Sequence, residues 1–234
     1  MLQWTPRPLV AFERTLSNKP VSDSKIPKAV IARLSLYLRE MQQLVREETF
    51  TISSTKLGRR LGFTASQVRK DLAYFGQFGY PGIGYKCEEL VAEIKKILGT
   101  DRIWPVVLVG CGNLGQALLG YRGFSTQGFK VVAAVDVDDS VVGKEIEGLK
   151  IAHLRTLPDL VESLQVKVAM LAVPAKAVEA AVDQIVEAGI VGILNFAPVT
   201  LTLPKHVGLV EVDLARELEQ LAFAVLQNSQ NSDR

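Results

Sequence analysis

The chain has 234 residues, 48% of them hydrophobic and 22% charged, which excludes a disordered protein and leaves room for one large domain or two modest ones. Two cysteines exclude a disulfide framework, no apolar run approaches the ~20 residues that span a bilayer, and no apolar leader core follows Met1, so a cytoplasmic protein with no membrane partner is expected. The net charge of +2 hides an asymmetry: residues 1–104 hold 17 Lys/Arg against 10 Asp/Glu, and residues 105–234 hold 10 against 15, which suggests two domains with different partners.

Residues 1–25 lack periodicity, include Pro6, Pro8 and Pro20, and read as a flexible extension. Pro27 suits the first turn of a long helix reaching about Glu47, with Ile31, Leu34, Leu38, Met41 and Val45 along its seam and Arg33, Arg39 and Glu40 off it. Residues 51–57 read as a short lead-in with an N-cap at Ser53 or Ser54, followed by a brief helix to Leu61. Gly62 ends that helix, and Thr64 caps the next, over about 65–75. Val68, Leu72 and Phe75 form its inward stripe, so Ser66, Gln67, Arg69 and Lys70 project to the other faces. Six basic residues against Asp71 alone lie between Thr49 and Lys86, and two short helices around a glycine turn follow helix-turn-helix logic. Such a second helix can enter a major groove. The glycine-rich stretch 76–86 suits a tight hairpin, a wing in this setting, and a helix over 88–98 closes the domain before a hinge at 99–102.

The second half is organised around one loop. An apolar strand over 105–109 runs into Gly110, Cys111, Gly112, Asn113, Leu114 and Gly115, a helix follows, and a strand over 131–135 ends on Asp136. A lone G-x-G-x-x-G is weak, but strand, glycine loop, helix, strand and acid together form the dinucleotide-binding fingerprint. Gly110 permits the turn, Gly112 admits a pyrophosphate to the backbone, and Gly115 lets the helix pack closely. The helix N-terminus offers unpaired N–H groups to phosphate. Asp136 can accept ribose hydroxyls and would repel a 2′-phosphate, which favours NAD(H) over NADP(H). Cys111 reads as a small tolerated side chain, with a redox thiol as the alternative. Beyond Asp136, helices over 157–164 and 176–187 alternate with strands over 166–173, 191–194 and 207–212, and a last helix runs over about 213–226. The fold class expected is α/β: a Rossmann-like doubly wound parallel sheet preceded by a winged-helix DNA-binding domain. Val173, Pro174, Asn195, Phe196, Ala197 and Pro198 fall at strand carboxyl ends, where they border the cofactor or simply form turns.

A dehydrogenase needs a proton-transfer residue beside the nicotinamide. Only His153 and His206 exist, both in connections rather than at strand ends, so no catalytic residue is expected, and no metal constellation is visible. Tyr121 can either reach the cofactor or pack in the core. A cofactor site without chemistry, fused to a DNA-reading domain, argues for a ligand-gated transcription factor. The alternatives are an NAD-dependent oxidoreductase with an accessory domain, and a binding module for another adenine nucleotide or coenzyme A.

Residues 26–226 resemble the redox-sensing transcriptional repressor family Rex, through IPKAVIARLSLYLRE, QVRKDLAYFGQFG, GIGY, VGCGNLGQALLGYRGF, AVDVD, AVPA, AGIVGILNFAPV and EVDLARELEQLAF. The resemblance implies a homodimer that binds a palindromic operator when NADH is scarce and is released by NADH. It implies DNA contacts by Arg69 and Lys70, with Ser66 and Gln67 on the same helix and Gly82 and Tyr85 in the wing. Residues 110–115 with Asp136 would hold the adenosine diphosphate part, and Val173, Pro174 and 195–198 the nicotinamide end. It divides the chain into domains at 26–99 and 100–212, with a helix at 213–228 exchanged between subunits. Asp213 would then switch between Arg39 and Tyr121, with Leu214 against the partner's nicotinamide. The chain departs from the family at Pro81, where a basic wing residue is usual, and at Leu214, where Phe is common.

Overall fold

The computed structural model describes residues 26–232, so the extension expected over 1–25 lies outside the described residues. The chain divides into two compact units with the boundary between Arg102 and Ile103. Each is treated on its own.

The first unit holds α1 (Lys28–Arg46), β1 (Thr51–Ile52), α2 (Ser54–Leu61), α3 (Ala65–Ala73), β2 (Tyr85–Lys86) and α4 (Cys87–Leu98). Pro27, with extended backbone, is the N-cap of α1 rather than its first turn. The buried stripe of α1 is Val30, Leu34, Tyr37, Leu38, Met41 and Leu44, while Ile31 is exposed. The seam is therefore rotated from the one expected. α1 packs on α4 and also on α3, and Tyr37 and Arg33 turn toward α3 to meet a charge there. Ser53 accepts the Lys56 N–H and Thr64 accepts the Gln67 N–H, so serine and threonine start α2 and α3 by satisfying first-turn donors.

The hairpin expected over 76–86 is smaller than its glycine content suggests. A bridge joins Tyr80 and Gly84 around the turn Pro81, Gly82 and Ile83, but Tyr85 and Lys86 pair with β1 instead. Ile52 and Tyr85 are opposed in that pairing and both are buried, so a shared core rather than the local turn selects the partner strand.

The second unit holds β3 (Trp104–Val109), α5 (Asn113–Gly120), α6 (Gly123–Thr126), β4 (Phe129–Asp136), β5 (Glu145–Ile146), β6 (Leu149–Lys150), β7 (Ala152–His153), α7 (Leu157–Leu164), β8 (Val168–Leu171), α8 (Val178–Glu187), β9 (Gly192–Asn195), β10 (Gly208–Glu211) and α9 (Leu214–Ser232). Six strands form a parallel sheet in the order β10-β9-β8-β3-β4-β7, with β5 and β6 a separate hairpin. This is a doubly wound order, and it reverses direction between β3 and β8. Val107, Val109, Val135 and Leu171 pack with Leu157, Val161, Val178 and Ile185 of α7 and α8 on one face. Val106, Leu108, Ala134 and Met170 pack with Leu118, Leu119 and Phe124 on the other.

That second face is only partly covered. Val168, Met170, Leu194, Leu209 and Val210 help line an apolar groove of about 480 Å³. Among the described residues, Leu214, Leu218, Leu221 and Val225 of α9 are all more than half exposed. Their spacing of four, three and four is the inner stripe of a packed helix, presented here to solvent. No described helix is long and apolar enough to cross a membrane.

Candidate functional site

The fingerprint loop lies at the point where the strand order reverses. Gly110 leaves β3 with φ +94°, and a Cβ there would stand 2.6 Å from the Ala172 carbonyl oxygen and 2.7 Å from a Val173 methyl. The carboxyl ends of β3 and β8 are thus in contact, walling the crevice where doubly wound sheets bind ligands. A Cβ on Gly115 would lie 2.0 Å from the Gly110 carbonyl oxygen, so α5 is drawn against the loop itself as well as the sheet. At Gly112 a Cβ would meet nothing within 4 Å, which leaves open space over the loop for an approaching phosphate. The helical ladder begins with Gln116 N–H donating to Gly112 at 2.9 Å, so the N–H groups of the first turn lack helical partners and face that space.

Asp136 ends β4 and holds the loop in shape. Its Oδ2 accepts the Cys111 N–H at 2.6 Å, and its Oδ1 accepts the N–H groups of Val137 and Asp138 at 2.7 and 3.0 Å. A carboxylate has about four acceptor positions, so room remains for one ribose hydroxyl. Cys111 is fully buried, and burial followed by the Asp136 charge pushes its thiol up to about 12. A group that stays a thiol at neutral pH is a poor nucleophile, which favours the packing role over the redox one.

The other rim is built differently. Val173 is half-buried and Pro174 exposed where β8 ends. Asn195 is buried, donates through Nδ2 to the carbonyls of Ala197 and Val199 at 3.2 and 3.0 Å, and accepts the Ala197 N–H at 2.9 Å. Its side chain is consumed in folding the loop, so Phe196, Ala197 and Pro198 are positioned by it. Pro198 and Ala197 share a recess of about 120 Å³ with Thr200, Asp213 and Arg216. Asp213 caps α9 by accepting the Ala215 and Arg216 N–H groups at 3.0 and 3.1 Å, and Leu214 is exposed. Tyr121 follows α5, mostly exposed, with its ring edge-on to Phe124 at 4.8 Å.

His153 corrects the sequence reading. It closes the edge strand β7, opposite Asp136, and is therefore at a strand carboxyl end after all. Its Nδ1 accepts the Arg155 N–H at 3.1 Å, which starts a short turn, and β7 lies two strands from the β3/β8 crevice. This is a structural cap at the edge of the sheet beside Asp136. Among the described residues no three His, Cys, Asp or Glu converge as a metal site.

In the first unit, Ser66, Arg69 and Lys70 are exposed on α3, and Arg69 donates to the Ser54 hydroxyl at 2.9 Å. Gly82 is exposed at the turn, while Tyr85 is only 6% exposed and belongs to the core of this unit, its ring close to Gly79. Gln67 is half-buried, and its Nε2 donates to Asp71 at 2.7 Å. Arg39 is exposed and makes no ion pair among the described residues. Sequence reasoning passed over Asp71, which is fully buried and receives Arg33 in a two-pronged ion pair at 2.6 and 2.8 Å and the Tyr37 hydroxyl at 2.8 Å. Burial alone would push this carboxyl up, but the hydrogen bonds from Arg33, Tyr37 and Gln67 outweigh it and hold Asp71 below the usual carboxylate range. A signal was present: Asp71 is three residues from Val68 on the inward stripe, where an acid needs a cation.

Comparison with known proteins covers both units. The family model "Putative DNA-binding protein N-terminus" matches residues 25–73, and "CoA binding domain" matches residues 101–199. The chain is 43% identical over 203 residues to the redox-sensing transcriptional repressor Rex of Pelotomaculum thermopropionicum, covering 87% of this chain and 95% of that protein. A crystal structure of RSP in complex with beta-NAD+ and operator DNA is similar at TM-score 0.83 and 33% identity, covering 90% of this chain and 97% of that one. RSP in complex with beta-NADH is similar at TM-score 0.81 and 31% identity, covering 90% and 99%.

Proposed function

The chain belongs to the Rex family of redox-sensing transcriptional repressors, and from that premise we propose that it binds palindromic operator DNA as a homodimer in the cytoplasm and is released by NADH. The observation that carries the reading is the crevice at the β3/β8 reversal, a complete cradle with free first-turn amides, joined in one chain to a capped helix bearing exposed Arg69 and Lys70. NAD(H) fits the cradle: the space over Gly112 admits the pyrophosphate, Asp136 retains one acceptor position for the ribose, and its charge disfavours a 2′-phosphate. Val173, Pro174 and residues 196–198 would border the nicotinamide. The ligand supplies a signal here, and the reading is of a regulator rather than an enzyme, in keeping with the named repressors that the chain resembles over most of its length.

The domains proposed are a winged helix over 26–99, the dinucleotide domain over 100–212 and an exchanged helix over 213–228. The uncovered stripe of α9 and the apolar groove on the sheet support the exchange, because each is a surface that a second copy would bury. Asp213, its Oδ1 engaged in capping, keeps Oδ2 for Arg39 or Tyr121 of the dimer. Leu214 would then exclude water from the nicotinamide in place of an aromatic ring. Arg69 and Lys70 would contact the groove and phosphates, and Gly82 lets the wing backbone approach DNA while the buried Tyr85 supports it.

The test is a gel shift at fixed salt on an inverted-repeat operator, with NADH titrated against NAD+. Loss of the complex with NADH alone is expected, and a complex that survives saturating NADH overturns the gating. Calorimetry with coenzyme A distinguishes the binding-module alternative.

A further inference from the structure

We propose that Asp71 is a positioning residue for base readout, which pins the Gln67 amide so that its Oε1 and remaining amide hydrogen face an adenine edge in the major groove. The inference rests on the DNA-binding role proposed above for α3.

Asp71 has no exposed surface and is met by four donors, namely Arg33 Nε and Nη2, the Tyr37 hydroxyl and Gln67 Nε2. A carboxylate in that setting is an acceptor only. Gln67 must therefore turn its NH₂ toward Asp71, and its Oε1 points away. The hydrogen bonds that keep Asp71 below the usual carboxylate range also keep it charged at neutral pH, so this orientation persists under working conditions.

The sequence around Gln67 offers it another partner. Thr64-Ala65-Ser66-Gln67 has capping-box spacing, in which a Gln side chain reaches back to the N-cap N–H. Here the Thr64 hydroxyl accepts the Gln67 backbone N–H at 3.1 Å, while the Gln67 side chain runs forward one turn to Asp71 at 2.7 Å. Among the described residues Oε1 meets no donor. Gln67 is the third residue of α3, in the N-terminal turn that a docked recognition helix presents to base edges.

Arg33 and Tyr37 both belong to α1, so the amide is referenced to a second helix and not to α3 alone. A side chain ordered before binding loses less freedom on binding. Adenine presents an N6 donor beside an N7 acceptor, the complement of an amide edge, whereas guanine presents two acceptors and would oppose Oε1 with O6.

The experiment is competitive binding at fixed salt on operators selected by the wild-type protein from random inverted repeats. Each base pair is then changed symmetrically in turn, and each adenine is replaced by 7-deazaadenine. Wild type is expected to show one A·T pair per half-site whose change costs about tenfold or more, and Gln67→Ala should erase that preference. Asp71→Asn should flatten discrimination at the same pair and preserve it elsewhere, with melting and NADH affinity as folding controls. Should Asp71→Asn fail to fold, Arg33→Met/Tyr37→Phe/Asp71→Leu replaces the network with apolar groups of similar shape, and the same selective flattening is expected. Uniform loss across all operators, or discrimination that survives, reduces Asp71 to a scaffold residue. A wild-type protein that binds no DNA overturns the function proposed above. One that binds DNA without a Gln67-dependent pair overturns only this inference.

Discussion

In the first unit the candidate ligand contacts are side chains on an exposed helix, and one of them, Gln67, is tied to a carboxylate buried one turn on, at Asp71. In the second unit the candidate contacts are mostly backbone: the first-turn amides of α5 and the open surface over Gly112. There the buried Asn195 is spent on holding its loop, and the half-buried Asp136 holds the glycine loop with one acceptor position left over. One surface is therefore sensitive to which side chains are present, and the other to whether any Cβ is present at all. DNA readout must distinguish base edges and needs directional side chains. A pyrophosphate is satisfied by amides and a helix dipole.

The strongest way to break this contrast is Asp71→Ala. It leaves the Arg33 guanidinium and Tyr37 hydroxyl without their acceptor, and a loss of about 3 kcal/mol of stability in the first unit is expected, read by hydrogen exchange localised to α1 and α3. Because the folded-state pKa of Asp71 is depressed, its contribution is fully present above the unfolded value of about 3.9 and disappears as pH falls through the lower folded value. The gap between wild type and variant should therefore close in acid, and a gap that widens there would contradict the ion-pair account.

Gly115→Ala tests the other side. Its Cβ would meet the Gly110 carbonyl oxygen at 2.0 Å, and about 2 kcal/mol of strain is expected. Calorimetry should show NADH binding weakened by about tenfold or more, with operator binding intact in the ligand-free protein. Simultaneous loss of both activities would deny the units their separate design. Lys70→Ala should lower the slope of log affinity against log salt by about 1, with no change in base preference. A preference that shifts would place Lys70 on a base rather than a phosphate. The smallest effect concerns Cys111. With its thiol pushed up to about 12 by burial and then by Asp136, iodoacetamide at pH 8 should leave it unmodified in the native protein, and rapid labelling would reopen the redox reading.

Much of the fold was legible because its signals are local. Ser53 and Thr64 mark helix starts through their own hydroxyls, and the glycine loop with Asp136 announces its βαβ unit. The misreadings share one cause. Ile31 fits a helical seam by spacing, yet α1 turns Tyr37 and Arg33 toward α3 because Asp71 waits there, 34 and 38 residues along the chain. Tyr85 looked like part of a self-contained hairpin until Ile52 claimed it as a strand partner. His153 was placed in a connection because a two-residue edge strand has no periodicity to detect.

The sequence by itself determined the α/β class, the division into a basic and an acidic half, the glycine loop and its acid, and the cap that begins α3, since each depends on residues near one another along the chain. Only the tertiary structure decided that Asp71 is an anchor, that Asn195 is spent on its own loop, that Asp136 shapes the cradle it also lines, and that the stripe of α9 lacks a cover among the described residues. Those roles depend on which hydrogen-bond donors and apolar surfaces arrive from distant segments, and burial makes an unmet polar group or an uncovered apolar face costly enough that packing, not spacing, assigns the partner.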